Sequence, residues 1–237
     1  MHGSCNGLIC LSNEWTDTIY LWNPSLGKLK TLPNSPDIES RIIYSDLDSY
    51  SICLAFGFHP KVNAYRVVKI WCLVYKIIKP YKYQLLIDVY SLSTDSWRRI
   101  DVAPSCYLFN QNPAIVNGVA YWVAIKETWE GSCYLLLVRF EMGDEVFEEV
   151  MLLDGVKNCC PKIAILGERE SLYLFIFYHL DKCWDIWTME CGKTSCWTKR
   201  FTGNFHDTPA KLLGLRKRGE LLLQNHEGHM LSCNIET

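Results

Sequence analysis

No basic excess marks this chain: 24 lysines and arginines stand against 26 acids, a net charge of −2. That balance argues against a general nucleic-acid or membrane-surface binder, which carries clustered positive charge. Long apolar runs are missing as well. The longest uncharged one, Leu172 to Tyr178, is seven residues, far below the ~20 that a membrane helix needs. Met1-His2-Gly3-Ser4 has no basic region, and Leu8 to Leu11 is too short for the apolar core of a secretory signal. Asn23-Pro24-Ser25 approaches an N-glycosylation acceptor but holds the forbidden proline. Cysteine is plentiful, at twelve, yet no pair has Cys-x-x-Cys spacing. Without secretory signals these cysteines read as reduced, mostly buried small hydrophobes, and a cytoplasmic or nuclear location is expected.

Catalytic signatures are equally scarce. There is no G-x-S-x-G, no phosphate-cradling glycine loop and no H-E-x-x-H. Ser25-Leu26-Gly27-Lys28 fits S-x-x-K, but it lies in a turn and lacks the partner motifs of serine acylases. His226-Glu227-Gly228-His229, with Cys233 beyond, sets two imidazoles across a tight turn without a fourth ligand. The carboxylates Asp144, Glu145, Glu148 and Glu149 interleave with Val146, Phe147 and Val150, the pattern of a hairpin's solvated side. Neither an enzyme nor a bound cofactor or metal is expected.

What the chain does have is apolar and aromatic content, 49% and 13%, with nine tryptophans. A chain of this length buries roughly 70–75% of its unfolded surface, enough for a core without staples. The opening stretch sets the theme. Asn6-Gly7 takes left-handed backbone at little cost and turns a strand. Leu8–Leu11 and Thr18–Trp22 read as strands, Asn23–Gly27 as a turn, and Lys28–Pro33 as a third strand with one wet face. Asn34–Tyr50 is polar and is expected to be a loop.

The pattern then recurs. Ser51–Phe58, Tyr65–Ile70, Leu85–Ser91 and Trp97–Ile100 form a second copy, and Val116-Asn117-Gly118-Val119 opens a third. A fourth runs through Ser171–Tyr178 and Trp184–Met189 to Trp197–Phe201, and a fifth from Gly219 to Cys233 with its turn at Glu227-Gly228. The apolar residue just past the hairpin turn falls at Leu29, Trp97, Phe147 and Trp197, separated by 68, 50 and 50 positions. Units of this length with several short strands each predict an all-β, β-propeller-like (kelch-related) array of about five four-stranded or partial units, incomplete at the ends. A β-sandwich with similar hairpins is the alternative. No helix beyond two turns is expected; Asp37–Ile42 and Lys157–Cys160 come nearest, without sustained helical periodicity.

These residues also carry a family resemblance. Gly3-Ser4-Cys5-Asn6-Gly7-Leu8, Leu21-Trp22-Asn23-Pro24-Ser25, Phe56-Gly57-Phe58-His59-Pro60 and Tyr65-Arg66-Val67-Val68-Lys69 resemble the associated domain of plant F-box proteins. So do Val89-Tyr90-Ser91-Leu92, Asp95-Ser96-Trp97-Arg98, Val116–Trp122 and Gly219-Glu220-Leu221-Leu222, in the family's order. The S-locus F-box branch is similar. The resemblance runs from Gly3 almost to Thr237, and residues 1–237 are expected to form a single F-box-associated β domain. It implies a substrate-recognition, protein-binding module of an SCF-type E3 ubiquitin ligase, which selects a target for ubiquitination and proteasomal degradation. Skp1 and cullin would be reached through an F-box, which the family places ahead of the Gly-Ser-x-Asn-Gly strand where this chain begins; no F-box is expected within it. A carbohydrate-binding or enzymatic β-propeller is the alternative, and would need acids, histidines or a metal cluster at the channel. No nucleic acid and no membrane is expected as partner.

Trp22, Trp97, Trp122, Trp187 and Trp197 occupy strand positions and are expected in the core. Aromatics on connections are the better anchors for a partner, because Trp and Tyr dominate protein interfaces. Tyr81, Tyr83, Tyr107, Phe109 and Trp129 are the candidates, with His206 beside them.

Overall fold

The computed structural model describes residues 2–13, 17–36, 42, 46–75, 82–101, 103–108, 113–127, 133–152, 162–168, 170–178, 183–191, 196–204, 209–216, 220–225 and 227–234. Among these residues every regular element is a strand, and the strands form five separate antiparallel sheets. Two compact units carry them, Met1–Leu152 with three sheets and Leu153–Thr237 with two.

In the first unit, sheet 1 is β1 (Gly3–Cys5), β2 (Leu8–Asn13), β3 (Thr18–Asn23) and β4 (Lys28–Thr31). Sheet 2 is β5 (Leu47–His59), β6 (Ala64–Tyr75), β7 (Lys82–Ser91) and β8 (Ser96–Ile100). Sheet 3 runs β10 (Ala114–Val116), β11 (Val119–Glu127), β12 (Cys133–Glu141) and β13 (Val146–Met151), with β9 (Tyr107–Leu108) also paired to β11. Each is a meander, neighbours in sequence pairing in space. The polar segment expected as a loop to Tyr50 in fact yields to strand at Leu47, because β6 runs on to Tyr75 and pairs with it.

Local chemistry explains the turns. Asn6-Gly7 (φ 48° and 80°) and Asn117-Gly118 (φ 51° and 79°) put two successive residues in left-handed backbone, matching a two-residue hairpin to the strand twist. The longer turns before β4, β8 and β13 each end on one left-handed residue: Gly27 at 61°, Asp95 at 50° and Glu145 at 58°. The repeat seen in the sequence is a register repeat. Leu29 lies opposite Trp22, Trp97 opposite Tyr90, and Phe147 opposite Phe140. In the latter two pairs the ring centroids are 5.3 and 4.5 Å apart. Trp197 departs from it, standing just ahead of the strand Thr198–Asn204, which carries Arg200 as an extra residue opposite Ile186/Trp187.

Strand alternation sends the two faces of sheet 2 into different cores. Cys10, Ile19, Leu21 and Leu32 of sheet 1 meet Leu54, Phe56, Val67 and Tyr90 of sheet 2. The other face of sheet 2, with Val68, Ile70, Ile87 and Val89, meets Trp122, Leu136, Val138 and Phe140 of sheet 3. Trp122 is buried as expected, but Trp22 is 38% exposed. It lies on the face of β3 opposite Ile19 and Leu21; the same register position in sheets 2 and 3, Tyr90 and Phe140, is buried against the preceding sheet. Trp97, Trp187 and Trp197 are half-buried.

In the second unit, sheet 4 is β14 (Lys162–Glu168), β15 (Ser171–Tyr178), β16 (Cys183–Glu190) and β17 (Thr198–Asn204), and sheet 5 is β18 (Pro209–Arg216), β19 (Glu220–Asn225) and β20 (Met230–Asn234). Phe175, Phe177, Trp184 and Ile186 pack on Leu221 and Leu223. The nearest approaches to helix in the sequence, residues 37–41 and 157–160, lie outside the described residues.

Candidate interaction surface

In the first unit the meander sends connections to two ends of each sheet. One end carries the turns 6–7, 24–27, 60–63, 92–95, 117–118 and 142–145; the other carries the connections β2–β3, β6–β7 and β11–β12 and the segments leading from sheet to sheet.

At the turn end the polar side chains are engaged with one another. Asp95 accepts from the Tyr90 hydroxyl at 2.6 Å and from Lys30 of sheet 1 at 2.9 Å. Those two contacts hold its carboxyl below the usual carboxylate range. Glu145, on the equivalent turn position, reaches sheet 2: its carboxylate contacts Arg66 at 3.2 Å and also Arg98. Burial, followed by the charge of Arg98, lowers the Arg66 pKa. Glu145 is therefore not on the solvated side of its hairpin, as its sequence neighbours suggested; its side chain is 7% exposed. The left-handed turn residue aims it back at the preceding sheet. His59 closes this end from sheet 2. A Cβ on Gly118 would stand 2.6 Å from its ring, one on Gly143 2.7 Å, and its Nε2 lies 2.6 Å from Glu141 Oε1.

The opposite end carries β9. Cys106 and Leu108 are fully buried and pin the short strand β9 through its pairs with Ala124 and Ile125, leaving Tyr107 half-buried between them. Its ring sits 5.8 Å from that of Tyr83, tilted by 45°. Tyr83 is held in turn by β7, where the next residue, Gln84, accepts from the Tyr75 hydroxyl at 2.9 Å. Beside the pair lies a recess of about 210 Å³, lined by Tyr83–Leu86 on one side and by Ile100, Asp101 and Ala103–Ser105 on the other. Lys126 and Glu149 form an ion pair at 2.9 Å near β9, and that hydrogen bond raises the lysine pKa.

The structure thus brings together two of the sequence candidates, Tyr83 and Tyr107. Tyr81, Phe109, Trp129 and His206 lie outside the described residues. Missed were the recess residues Gln84, Asp101 and Ser105, although Pro104 shortly after β8 signals that the strand stops early. Tyr50, 60% exposed and 5.8 Å from Trp71, was also missed because it was placed in a loop. Among the described residues no three histidine, cysteine or acidic side chains are grouped to hold a metal ion. His229 belongs to a turn built by Asn225, whose Oδ1 accepts from the backbone N–H groups of Glu227 and His229 at 3.1 and 2.8 Å. What lines the recess is one aromatic ring, an amide, a hydroxyl and a carboxylate, groups that stack and hydrogen-bond.

A family model described as the F-box associated beta propeller domain matches residues 1–237. Among curated relatives, an F-box/kelch-repeat protein of Arabidopsis thaliana is 25% identical over 204 residues, covering 83% of this chain and 50% of its own. F-box protein CPR1 of the same plant is 28% identical over 225 residues, covering 84% of this chain and 51% of its own. The chain spans about half the length of the curated relatives it matches. A solved structure of YjhT superimposes with a TM-score of 0.54 at 10% identity, covering 92% of this chain and 71% of that one, a likeness of fold alone. Five meander sheets and a propeller family model agree with the expected propeller-like array and not with a sandwich.

Proposed function

Because this chain belongs to the F-box associated beta propeller domain family, matched from residue 1 to 237, we propose that it is the target-recognition module of an SCF-type ubiquitin ligase. It binds a protein and presents it for ubiquitination and proteasomal degradation. The observation that carries this reading is the match over the whole chain, joined by relatives named as F-box proteins over most of it. Such proteins are adaptors, and catalysis belongs to other subunits. Skp1 and cullin are engaged through an F-box, and the site of action is the cytoplasm or nucleus.

The target surface on this reading is the end of sheets 2 and 3 that carries Tyr83 and Tyr107. Both rings stand on strands fixed by buried neighbours, so little side-chain entropy is lost when a partner covers them. Tyr81, Phe109 and Trp129 are proposed as further contacts of the same kind, with His206 in the second unit. Affinity concentrates in a few such aromatics. The test is affinity capture from plant extract on the immobilised chain, followed by purification of a captured protein and direct binding. A specific partner that weakens on Tyr107→Ala and accumulates when the F-box protein is removed from the plant is the expected result. A partner indifferent to proteasome inhibition and to loss of the F-box protein would count against it.

A further inference from the structure

β6 pairs with β7 without a break from Arg66–Ser91 to Tyr75–Lys82, and the Leu92 N–H donates to Tyr65 O at 3.1 Å just beyond. In alternation from Leu92, the main-chain groups of Leu86, Gln84 and Lys82 turn towards β6, and those of Leu85 and Tyr83 towards the recess. The recess therefore meets a partner with side chains and hardly at all with main chain. Tyr83 lines it and carries the ring of Tyr107 beside it, both half-buried, 5.8 Å apart and inclined at 45°. Ala103 and Pro104 add apolar surface, and the exposed Ser105 and Asp101 add a hydroxyl and the one charge among the described lining residues. This platform is rigid: Leu85 and Leu86 are buried next to Tyr83, and Cys106 and Leu108 are buried on either side of Tyr107. At about 210 Å³ the recess falls below the roughly 300–1,000 Å³ of small-molecule sites, so it suits a side chain or two and not a cofactor.

We propose that this surface takes a proline-rich segment of the target in polyproline II conformation, with its pyrrolidine rings laid on Tyr83 and Tyr107. The inference rests on the target-recognition reading above and names the kind of segment that is read. An added strand needs alternating main-chain partners, which this side of β7 does not supply. A polyproline segment forms no ladder, and proline has no N–H to be left unpaired when the surface is covered. Neighbouring aromatic faces are the usual seat of such segments, whose fixed φ leaves little entropy to lose on binding. Asp101 favours a basic residue beside the prolines over an acidic one.

The probe is an acetylated, amidated peptide of one arginine followed by nine prolines, and its counterpart with alternating glycine and serine in place of the prolines is the control. In a nuclear magnetic resonance titration of the native chain, the proline peptide should give saturable shifts at Tyr83, Ser105 and Tyr107, and the control none. Tyr107→Ala should weaken binding by about tenfold or more in a variant whose circular dichroism is native. Tyr107→Phe, which keeps the ring, should retain it. Ser105→Trp, which fills the recess from an exposed position, should block the peptide as strongly and serves where Tyr107→Ala does not fold. No saturable binding of the proline peptide, equal binding of the control, shifts confined to other parts of the chain, or unaltered affinity in both folded variants would overturn the proposal. If the peptide fails while Tyr107→Ala still weakens a captured plant protein, polyproline recognition falls and target recognition stands. If the native chain captures no plant protein, target recognition falls and the inference with it.

Discussion

Arg99 is the side chain on which the first unit's polar interior turns. Asp88 is fully buried and accepts from Arg99 Nε at 2.7 Å and from its terminal nitrogen at 3.1 Å, while the same guanidinium also reaches Pro36 O at 2.9 Å. Arg99→Ala leaves that carboxylate uncompensated and should cost ~3–5 kcal/mol in chemical denaturation; a loss near zero would show that Asp88 finds another partner. Trp122→Ala should cost a similar ~3–5 kcal/mol as a cavity forms between sheets 2 and 3, and Trp22→Ala distinctly less. The thiols give a pH dependence. Burial pushes Cys10 and Cys106 up to about 12 from an ordinary value of 9.0. The folded form then keeps protons that the unfolded form has lost, so this contribution is fully present below pH 9.0 and is lost as pH rises from there towards about 12. Unfolding midpoints measured across that window should fall with pH, and iodoacetamide should label both residues only on unfolding. Core membership was legible for Trp122 because the stretch Val119–Ile125 around it is apolar throughout; Trp22 was not, because alternation shows which residues share a face and leaves open which face is covered.

At the scale of elements, the hairpin turns were readable because their chemistry is local. Asn-Gly pairs and the four-residue turns before β4, β8 and β13 stand where the sequence put them. What those turns do was not readable. Gly27, Asp95 and Glu145 share one left-handed position, and in two of the three a carboxylate is aimed from it at the preceding sheet. Glu145 tests this. Glu145→Ala and Glu145→Gly both lose the arginine contacts, but alanine also keeps an unfavourable φ, so it should be less stable than the glycine variant by ~1 kcal/mol in urea denaturation. Equal stability would mean that the turn relaxes. β18 escaped notice because two bulges and Gly214 break its alternation; β14 was missed although Pro161 stands just before its apolar Ile163–Leu166. The start of β5 was missed for a tertiary reason: Leu47–Tyr50 is polar, and only pairing with the end of β6 makes it a strand.

For the whole molecule, the repeat and the family were legible because they are spread over many positions, each weak and all in order. The interaction surface was half legible. Tyr83 and Tyr107 could be picked as aromatics on connections, but their pairing depends on β9 crossing to β11, and the recess on the pairing of β8 with β7 stopping at Ile87, five residues short of the start of β7 at Lys82. The central claim is that this surface binds the target that the ligase marks. Its most direct test is the affinity of a purified, captured target for the native chain and for the Tyr83→Ala/Tyr107→Ala pair, measured by calorimetry alongside thermal unfolding. The account expects each ring to contribute ~1–3 kcal/mol to binding, with the double variant still folding cooperatively. Undiminished affinity in that folded double variant would contradict it.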